Sequence, residues 1–397
     1  WNRISEMVYS QALAALVSDF IMYIVTWLLT KYLPNPLPLF AVFFCQVALA
    51  ALWFALANRW YFATFPPKKT VVIYDMRRGL DGLLREYGLG KKFDIRGTIP
   101  VKDCLSDIEM LHGMDTVFLS GIHSSDRNII LKYCIANGIN VYVIPRIGDV
   151  LMSGAQHRYV CHLPMLEVGR YNPSPGYLFV KRLMDIVLAG AAIAFFAPLL
   201  LFTALAVKLE DGGPVFYRQK RLTKDGKEFN IIKFRSMGVD AEKDGVARLS
   251  TGAKDTRVTS VGRVIRKLRV DELPQLFCIL TGSMTIVGPR PERPEIAAQY
   301  EEEMPEFQLR LQAKAGLTGY AQVYGKYNTI PYDKLQLDLM YIAKPSILED
   351  IRIMFATVRV LFLPESTEGV AEGQTTAAGK PDAVEEVAVT QDKSGIY

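Results

Sequence analysis

The chain has 397 residues, half of them hydrophobic and 22% charged, and its mean hydropathy is +0.15, which excludes a disordered protein and argues against a purely cytosolic enzyme. The formal net charge of +5 conceals an acidic end, because residues 364–397 carry two Lys and seven Asp/Glu and leave the rest near +10. A basic body of that kind suits anionic lipid, nucleotide or nucleic acid.

Residues 7–30 and 37–57 are apolar stretches, each longer than the ~20 residues that cross a ~30 Å hydrocarbon core as helix. Asp19 and Gln46 interrupt them and read as a helix–helix contact. Arg59, Lys68 and Lys69 follow, so the chain is expected to emerge on the cytoplasmic side. Residues 1–63 are therefore read as transmembrane helices. The start at Trp1 rather than Met leads us to expect missing N-terminal sequence. The cysteines Cys45, Cys104, Cys134, Cys161 and Cys278 are scattered, without disulfide or zinc spacing.

From 64 to 172, short β-branched runs (70–74, 116–119, 139–144) alternate with helical segments such as 124–137. This rhythm predicts a small Rossmann-like α/β domain with buried parallel strands. The turn Asp75-Met-Arg-Arg-Gly-Leu-Asp-Gly82 lacks the G-x-G-x-x-G fingerprint, favouring a structural, regulatory or oligomerisation role over cofactor binding. Pro173-Ser-Pro-Gly176 marks the boundary to a last domain over 173–363.

That domain begins with a third apolar stretch, 186–207, uncharged throughout and carrying Pro198 past its middle. Lys181 and Arg182 precede it, and Lys208, Arg218, Lys220 and Arg221 follow. A spanning helix would leave one basic flank outside the cell. A re-entrant helix–break–helix satisfies both flanks, with Pro198 as the break and each arm of about 11 residues reaching ~16 Å. A kinked spanning helix is the alternative. Past Pro364 the composition predicts a disordered acidic tail, 364–397.

The chemistry is concentrated between these landmarks. Residues 215–221 and 229–235 read as a hairpin, with Lys233 and Arg235 sharing one face. The segment from Val261 to Glu272 sets adjacent carboxylates, Asp271 and Glu272, after four cations: Arg263, Arg266, Lys267 and Arg269. These cations are expected to keep both acids ionised and to attract phosphate. Paired carboxylates facing an anion need a counter-charge, usually Mg²⁺. Asp271 also reads as the N-cap of a helix over 273–280, and both roles can hold together. Gly288-Pro-Arg-Pro-Glu-Arg-Pro294 offers Arg290 and Arg293 on a proline-stiffened loop suited to phosphate. A last helix over 346–362 places Ile347, Ile351, Met354, Phe355, Val358 and Phe362 on one face, for the core or a membrane surface.

The ordered set Phe216-Tyr-Arg-Gln219, Lys233-Phe-Arg-Ser-Met237, Asp271-Glu-Leu-Pro-Gln275 and Gly288-Pro-Arg-Pro291 resembles the bacterial sugar transferases called monotopic phosphoglycosyl transferases, over about 177–362. The N-terminal part resembles the large members, undecaprenyl-phosphate glucose- or galactose-phosphate transferases, with half of their four N-terminal spans. The resemblance implies an α/β membrane protein at the cytoplasmic face of the bacterial inner membrane, with a re-entrant hairpin leading into an α/β catalytic domain. The family break commonly reads Ser-Pro, against Ala197-Pro198 here. The implied reaction moves a hexose 1-phosphate from a UDP-sugar to undecaprenyl phosphate and releases UMP, initiating exopolysaccharide, capsule or O-antigen synthesis. Asp271 would be the nucleophile, forming a covalent phosphosugar intermediate, and a Mg²⁺ ligand, with Glu272 as base. Lys233, Arg235, Arg266, Arg290 and Arg293 would bind substrate. A homodimer suits the large type. Among competing readings, a glycosyltransferase releasing UDP commonly carries D-x-D, which this chain lacks. A non-catalytic membrane scaffold of polysaccharide assembly is the alternative; nucleic-acid binding is set aside for want of a stacking platform.

Overall fold

A computed structural model describes residues 4–239, 241, 257–325 and 330–361, and the acidic tail expected at 364–397 lies outside them. The chain divides into two compact units, one ending at Ile144 and the other starting at Pro145.

In the first unit, α1 (Ile4–Thr30) and α2 (Leu37–Thr64) pack side by side. Both are long and apolar enough to cross a membrane. Their outward side chains, such as Leu29 and Trp53, stay exposed, as lipid-facing groups should. Asp19 and Gln46 meet between the helices, where Gln46 Nε2 donates to Asp19 Oδ1 at 3.3 Å. Next come β1 (Lys68–Tyr74), α3 (Leu80–Glu86), β2 (Phe93–Pro100), α4 (Val101–Ser106), β3 (Thr116–Ser120), α5 (Ser124–Ala136) and β4 (Asn140–Val143). The strands form a wholly parallel sheet in the order β2-β1-β3-β4. Val71, Ile73, Val117 and Leu119 point into one apolar layer with Ile130 of α5, while Val72 and Phe118 meet Leu84 of α3 in the other. Burial on both faces explains why these strands are continuous apolar runs.

The second unit opens with α6 (Ile147–Ser153), whose Ile147 and Val150 enter the main core beside Leu335 and Leu339. An exposed hairpin follows, β5 (Gln156–Val160) and β6 (Leu163–Glu167), turning on Cys161 and His162, both left-handed with φ of 52° and 64°. Then α7 (Pro175–Asp211) runs as one helix of 37 residues, capped by Ser174 and ended by left-handed Gly212. The interruption expected at Pro198 does not end it; the proline forfeits one bond, to the carbonyl four residues back, and the chain stays helical.

Both ends of α7 are fastened to this same unit. At the first end, Lys181 pairs with Asp350 at 2.9 Å, and Arg182 donates to the carbonyls of Ile279 and Leu280, each at 2.7 Å. Asp185 accepts from Thr285 Oγ1 at 2.7 Å and from the Ile286 amide at 2.9 Å. At the other end, Asp211 holds Arg235, and Glu210 accepts from the Val261 amide at 3.0 Å. Apolar contacts repeat the pattern: Ala189 packs with Ile279 and Met284, and Val207 with Phe234 and Ile265. Between these anchors Phe195, Leu201 and Phe202 face outward, each at least 70% exposed.

The remaining elements are β7 (Phe216–Leu222), β8 (Glu228–Phe234), α8 (Ser260–Lys267), α9 (Gln275–Thr281), β9 (Thr285–Val287), α10 (Pro294–Glu303), β10 (Gly316–Thr318), α11 (Tyr320–Tyr324), α12 (Pro331–Ala343) and α13 (Ile347–Leu361). β7 and β8 pair antiparallel about a turn in which Asp225 and Gly226 are left-handed. β9 and β10 pair in parallel so closely that a Cβ on Gly316 would lie 2.2 Å from the Gly288 nitrogen. Of the stripe predicted on α13, Ile347, Ile351 and Met354 are half-buried and Phe355 and Val358 face outward, while Phe362 lies outside the described residues; the fully buried positions of this helix are Asp350 and Ile353, off that stripe.

Candidate active site

The carboxylate pair sits in a sharp turn. Thr259 caps α8 by accepting from the Gly262 amide at 3.0 Å, and Gly262 lets the helix approach Ser236, whose carbonyl a Cβ there would meet at 2.1 Å. α8 ends as Arg269 turns left-handed (φ 58°), and a single 3-10 turn, Val270–Glu272, follows. Val270 is buried with Val207, Phe234 and Ile265, so the turn is pinned from below. A non-glycine residue held at positive φ is strained and is kept there by its surroundings. The N-cap reading of Asp271 is corrected here: α9 starts at Gln275 with Pro274 at its cap, and Asp271 lies one turn upstream.

The two acids have different partners. Glu272 Oε1 lies 3.0 Å from Lys233 Nζ on β8 and 3.5 Å from an Arg290 guanidinium nitrogen. Among the described residues, no hydrogen bond or ion pair ties the Asp271 carboxylate. Burial, then the neighbouring Glu272 charge, pushes Asp271 up to about 6, against the pull of Lys233, Arg266 and Arg269. Burial also acts to raise Glu272, but Lys233 and Arg290 outweigh it and hold that acid well below the usual carboxylate range. The expectation that the cations keep both acids ionised describes Glu272, whereas at Asp271 desolvation and the like charge outweigh them and raise the carboxyl.

Of the four cations before the dyad, Arg266 and Arg269 act on it, while Arg263 and Lys267 are exposed. Arg266 is steadied by Ser236, whose Oγ accepts from Nε at 2.7 Å. Lys233, Arg266 and Arg290 are thus brought to the dyad, and Arg269 joins them. Arg235 is directed elsewhere. It lies just past β8, where Asp211 chelates its guanidinium and the Pro214 carbonyl accepts from Nε at 2.7 Å. It locks the end of α7 to the hairpin rather than forming a cationic pair with Lys233. Arg293 is the half-buried N-cap residue of α10. Among the described residues no trio of His, Cys, Asp or Glu is grouped to hold a metal. Sequence reasoning passed over Arg221 and Arg310, which hold the Arg290 loop; neither lies in a recognisable motif for that task.

A helix-anchored α/β unit carrying an asymmetric carboxylate dyad among cations has the charge and geometry suited to anionic, phosphate-bearing ligands. Residues 176–364 match the family described as bacterial sugar transferase. An N-acetylgalactosaminephosphotransferase of Aeromonas hydrophila, acting between UDP-N-acetylgalactosamine and undecaprenyl phosphate, is 41% identical over 234 residues, covering 58% of this chain and 54% of that protein. A UDP-glucose:undecaprenyl-phosphate glucose-1-phosphate transferase of Caulobacter vibrioides is 40% identical over 191 residues, 47% of this chain and 71% of its own length. The exopolysaccharide production protein PSS of Rhizobium leguminosarum bv. phaseoli is 40% identical over 192 residues, 46% of this chain and 94% of its own. The chain belongs to the bacterial sugar transferase family. Its match spans about half the length of the larger relatives, such as the Aeromonas protein.

Proposed function

We propose that this chain transfers a hexose 1-phosphate from a UDP-sugar to undecaprenyl phosphate, releasing UMP, at the cytoplasmic face of a bacterial membrane. Such a step would initiate exopolysaccharide, capsule or O-antigen synthesis. The observation that carries the reading is the division within the dyad: Glu272 is neutralised by two cations, and Asp271 keeps a partly desolvated carboxylate that no hydrogen bond or ion pair ties among the described residues. An Asp271 oxygen attacks the sugar-bearing phosphorus, the bond to the UMP oxygen breaks, and an acyl phosphosugar forms. An oxygen of undecaprenyl phosphate then attacks the same phosphorus and releases Asp271. Arg266, Arg269, Lys233 and Arg290 offset the phosphoryl charge in both steps. Glu272, held ionised, is a weak base, and its task is to orient Lys233 and Arg290; a phosphate dianion needs no base. Mg²⁺ fits one available carboxylate plus substrate oxygens, so Asp271 would hold it, and it would neutralise the pyrophosphate.

The acceptor's lipid tail requires a site at headgroup level, and the two-ended attachment of α7 supports this. A straight helix of 37 residues is about 55 Å long, yet residues near both its ends grip one folded unit, and the apolar crest at Phe195–Phe202 between these anchors faces outward. That pattern suits entry and exit by one membrane face. Cysteines placed singly at 178 and 213 should label from the same side of sealed vesicles; opposite-side labelling would mean a spanning helix.

Protein in lipid nanodiscs with undecaprenyl phosphate, offered a panel of UDP-sugars, should release UMP. Release of UDP would instead identify transfer of the sugar alone. With Asp271 at about 6, kcat/KM should rise with pH through that value, since only the ionised carboxylate attacks. Glu272→Gln removes a like charge and should move this limb to lower pH, whatever it does to the maximum rate. An upward shift would contradict the assignment.

A further inference from the structure

We infer that Arg310, together with Arg221, is a positioning residue that presents Arg290 to the dyad by holding the backbone of the proline loop; this rests on the proposed role of Arg290 as a phosphoryl clamp. The loop Gly288–Pro294 contains three prolines, which bring no N–H, so its carbonyls depend on donors from outside. Four consecutive carbonyls find them. Pro289 O accepts from the Gly316 amide at 2.8 Å, Arg290 O from Arg310 at 2.8 Å, Pro291 O from Arg221 at 3.0 Å, and Glu292 O from the Leu222 amide at 3.0 Å. The two side-chain donors hold the carbonyl of Arg290 itself and the one that follows it. They also share a counter-charge: Glu292 lies 3.7 Å from Arg310 and 3.9 Å from Arg221. Arg310 is 5% exposed and is held in turn by Asp338, 2.6 Å away on α12. Its guanidinium stacks on Phe307 at 4.8 Å.

This arrangement separates two tasks along one loop. The backbone at 289–292 is fixed by the protein interior, while the Arg290 side chain, 45% exposed, reaches out to Glu272. Clamp residues act through placement within fractions of an ångström, so a loop released from Arg310 would weaken transition-state binding although Arg290 is unchanged. A lysine has one compact head and cannot serve the Arg290 carbonyl, Glu292 and Asp338 together.

The test is a double-mutant cycle on the full chain in nanodiscs, with UDP-glucose and UDP-N-acetylgalactosamine as donors and UMP release as readout. Arg290→Ala is expected to lower kcat/KM roughly 10²-fold. Arg310→Met should lose roughly 10-fold or more in the wild-type background, mostly in kcat, and almost nothing further once Arg290 is alanine. Hydrogen exchange at the Gly316 and Leu222 amides should speed up in Arg310→Met with distant amides unchanged, a readout that needs no turnover. Losses that multiply, or a variant with native kinetics and native exchange, would overturn the inference. If Arg310→Met does not fold, Arg221→Met, whose site is more exposed, is judged by the same cycle. Absence of UMP release in the wild-type chain would count against the proposed reaction, and exchange alone would then decide whether Arg310 holds the loop.

Discussion

Asp271→Asn is expected to abolish UMP release together with any covalent phosphosugar adduct, while leaving the fold intact. The amide keeps the shape of the side chain but lacks the anionic oxygen that would attack phosphorus. Stability should hold or rise, and the sign follows from burial. A carboxyl raised from 3.8 to about 6 on folding contributes stability below the lower value, and loses it as pH rises through that window. At pH 8 the wild type therefore carries an ionised, partly buried carboxylate beside Glu272, and the asparagine variant does not. Thermal unfolding at pH 5 and pH 8 should show a smaller drop for the variant. Mass spectrometry after incubation with UDP-sugar, without acceptor, should find the adduct on the wild type only. Full turnover by the variant would end the nucleophile assignment; a collapsed fold would show that Asp271 serves structure.

Much of this arrangement was legible in the sequence because it is local. Hydropathy and length are properties of a window, so α1, α2 and α7 could be read directly. Continuous β-branched runs announced β1 and β3, which are buried on both faces. The dyad and the proline loop were visible as strings of unusual residue types. What stayed hidden depends on distant pairs. Arg235 is two residues from Lys233 and looked like its companion, but Asp211, 24 positions back, claims it. The contrast between Asp271 and Glu272 is invisible in an adjacent pair and arises from which side chain Lys233 and Arg290 reach. The β5–β6 hairpin escaped because all ten of its strand residues are exposed, so no apolar face with period two exists to reveal it. Pro198 does not mark a helix end, since a proline removes one backbone hydrogen bond without fixing where a helix stops.

Lys181→Met is expected to destabilise the second unit by about 3–5 kcal/mol, the range for stripping one partner from a buried ion pair. Asp350 is fully buried, and its carboxylate meets Lys181 at 2.9 Å, Tyr177 at 3.0 Å and Tyr341 at 2.8 Å. With methionine at 181 the two phenols would remain, but the counter-charge would be gone. The network joins three pieces, the first turns of α7, the end of α12 and α13, and Tyr341 also lies 3.1 Å from the Val287 carbonyl of β9. Loss of the pair should therefore loosen the first anchor of α7 and not its second, at Asp211 and Arg235. Replacing both partners, Lys181→Met with Asp350→Leu, should recover most of the loss, because the desolvation of two charges disappears with them. Denaturant unfolding in detergent, monitored for the single and double variants, distinguishes these cases. A single variant as stable as the wild type would mean that the pair is solvated and does not anchor the helix. A double variant worse than the single would mean that the polar network itself, rather than the avoidance of a lone buried charge, holds α7 to the unit.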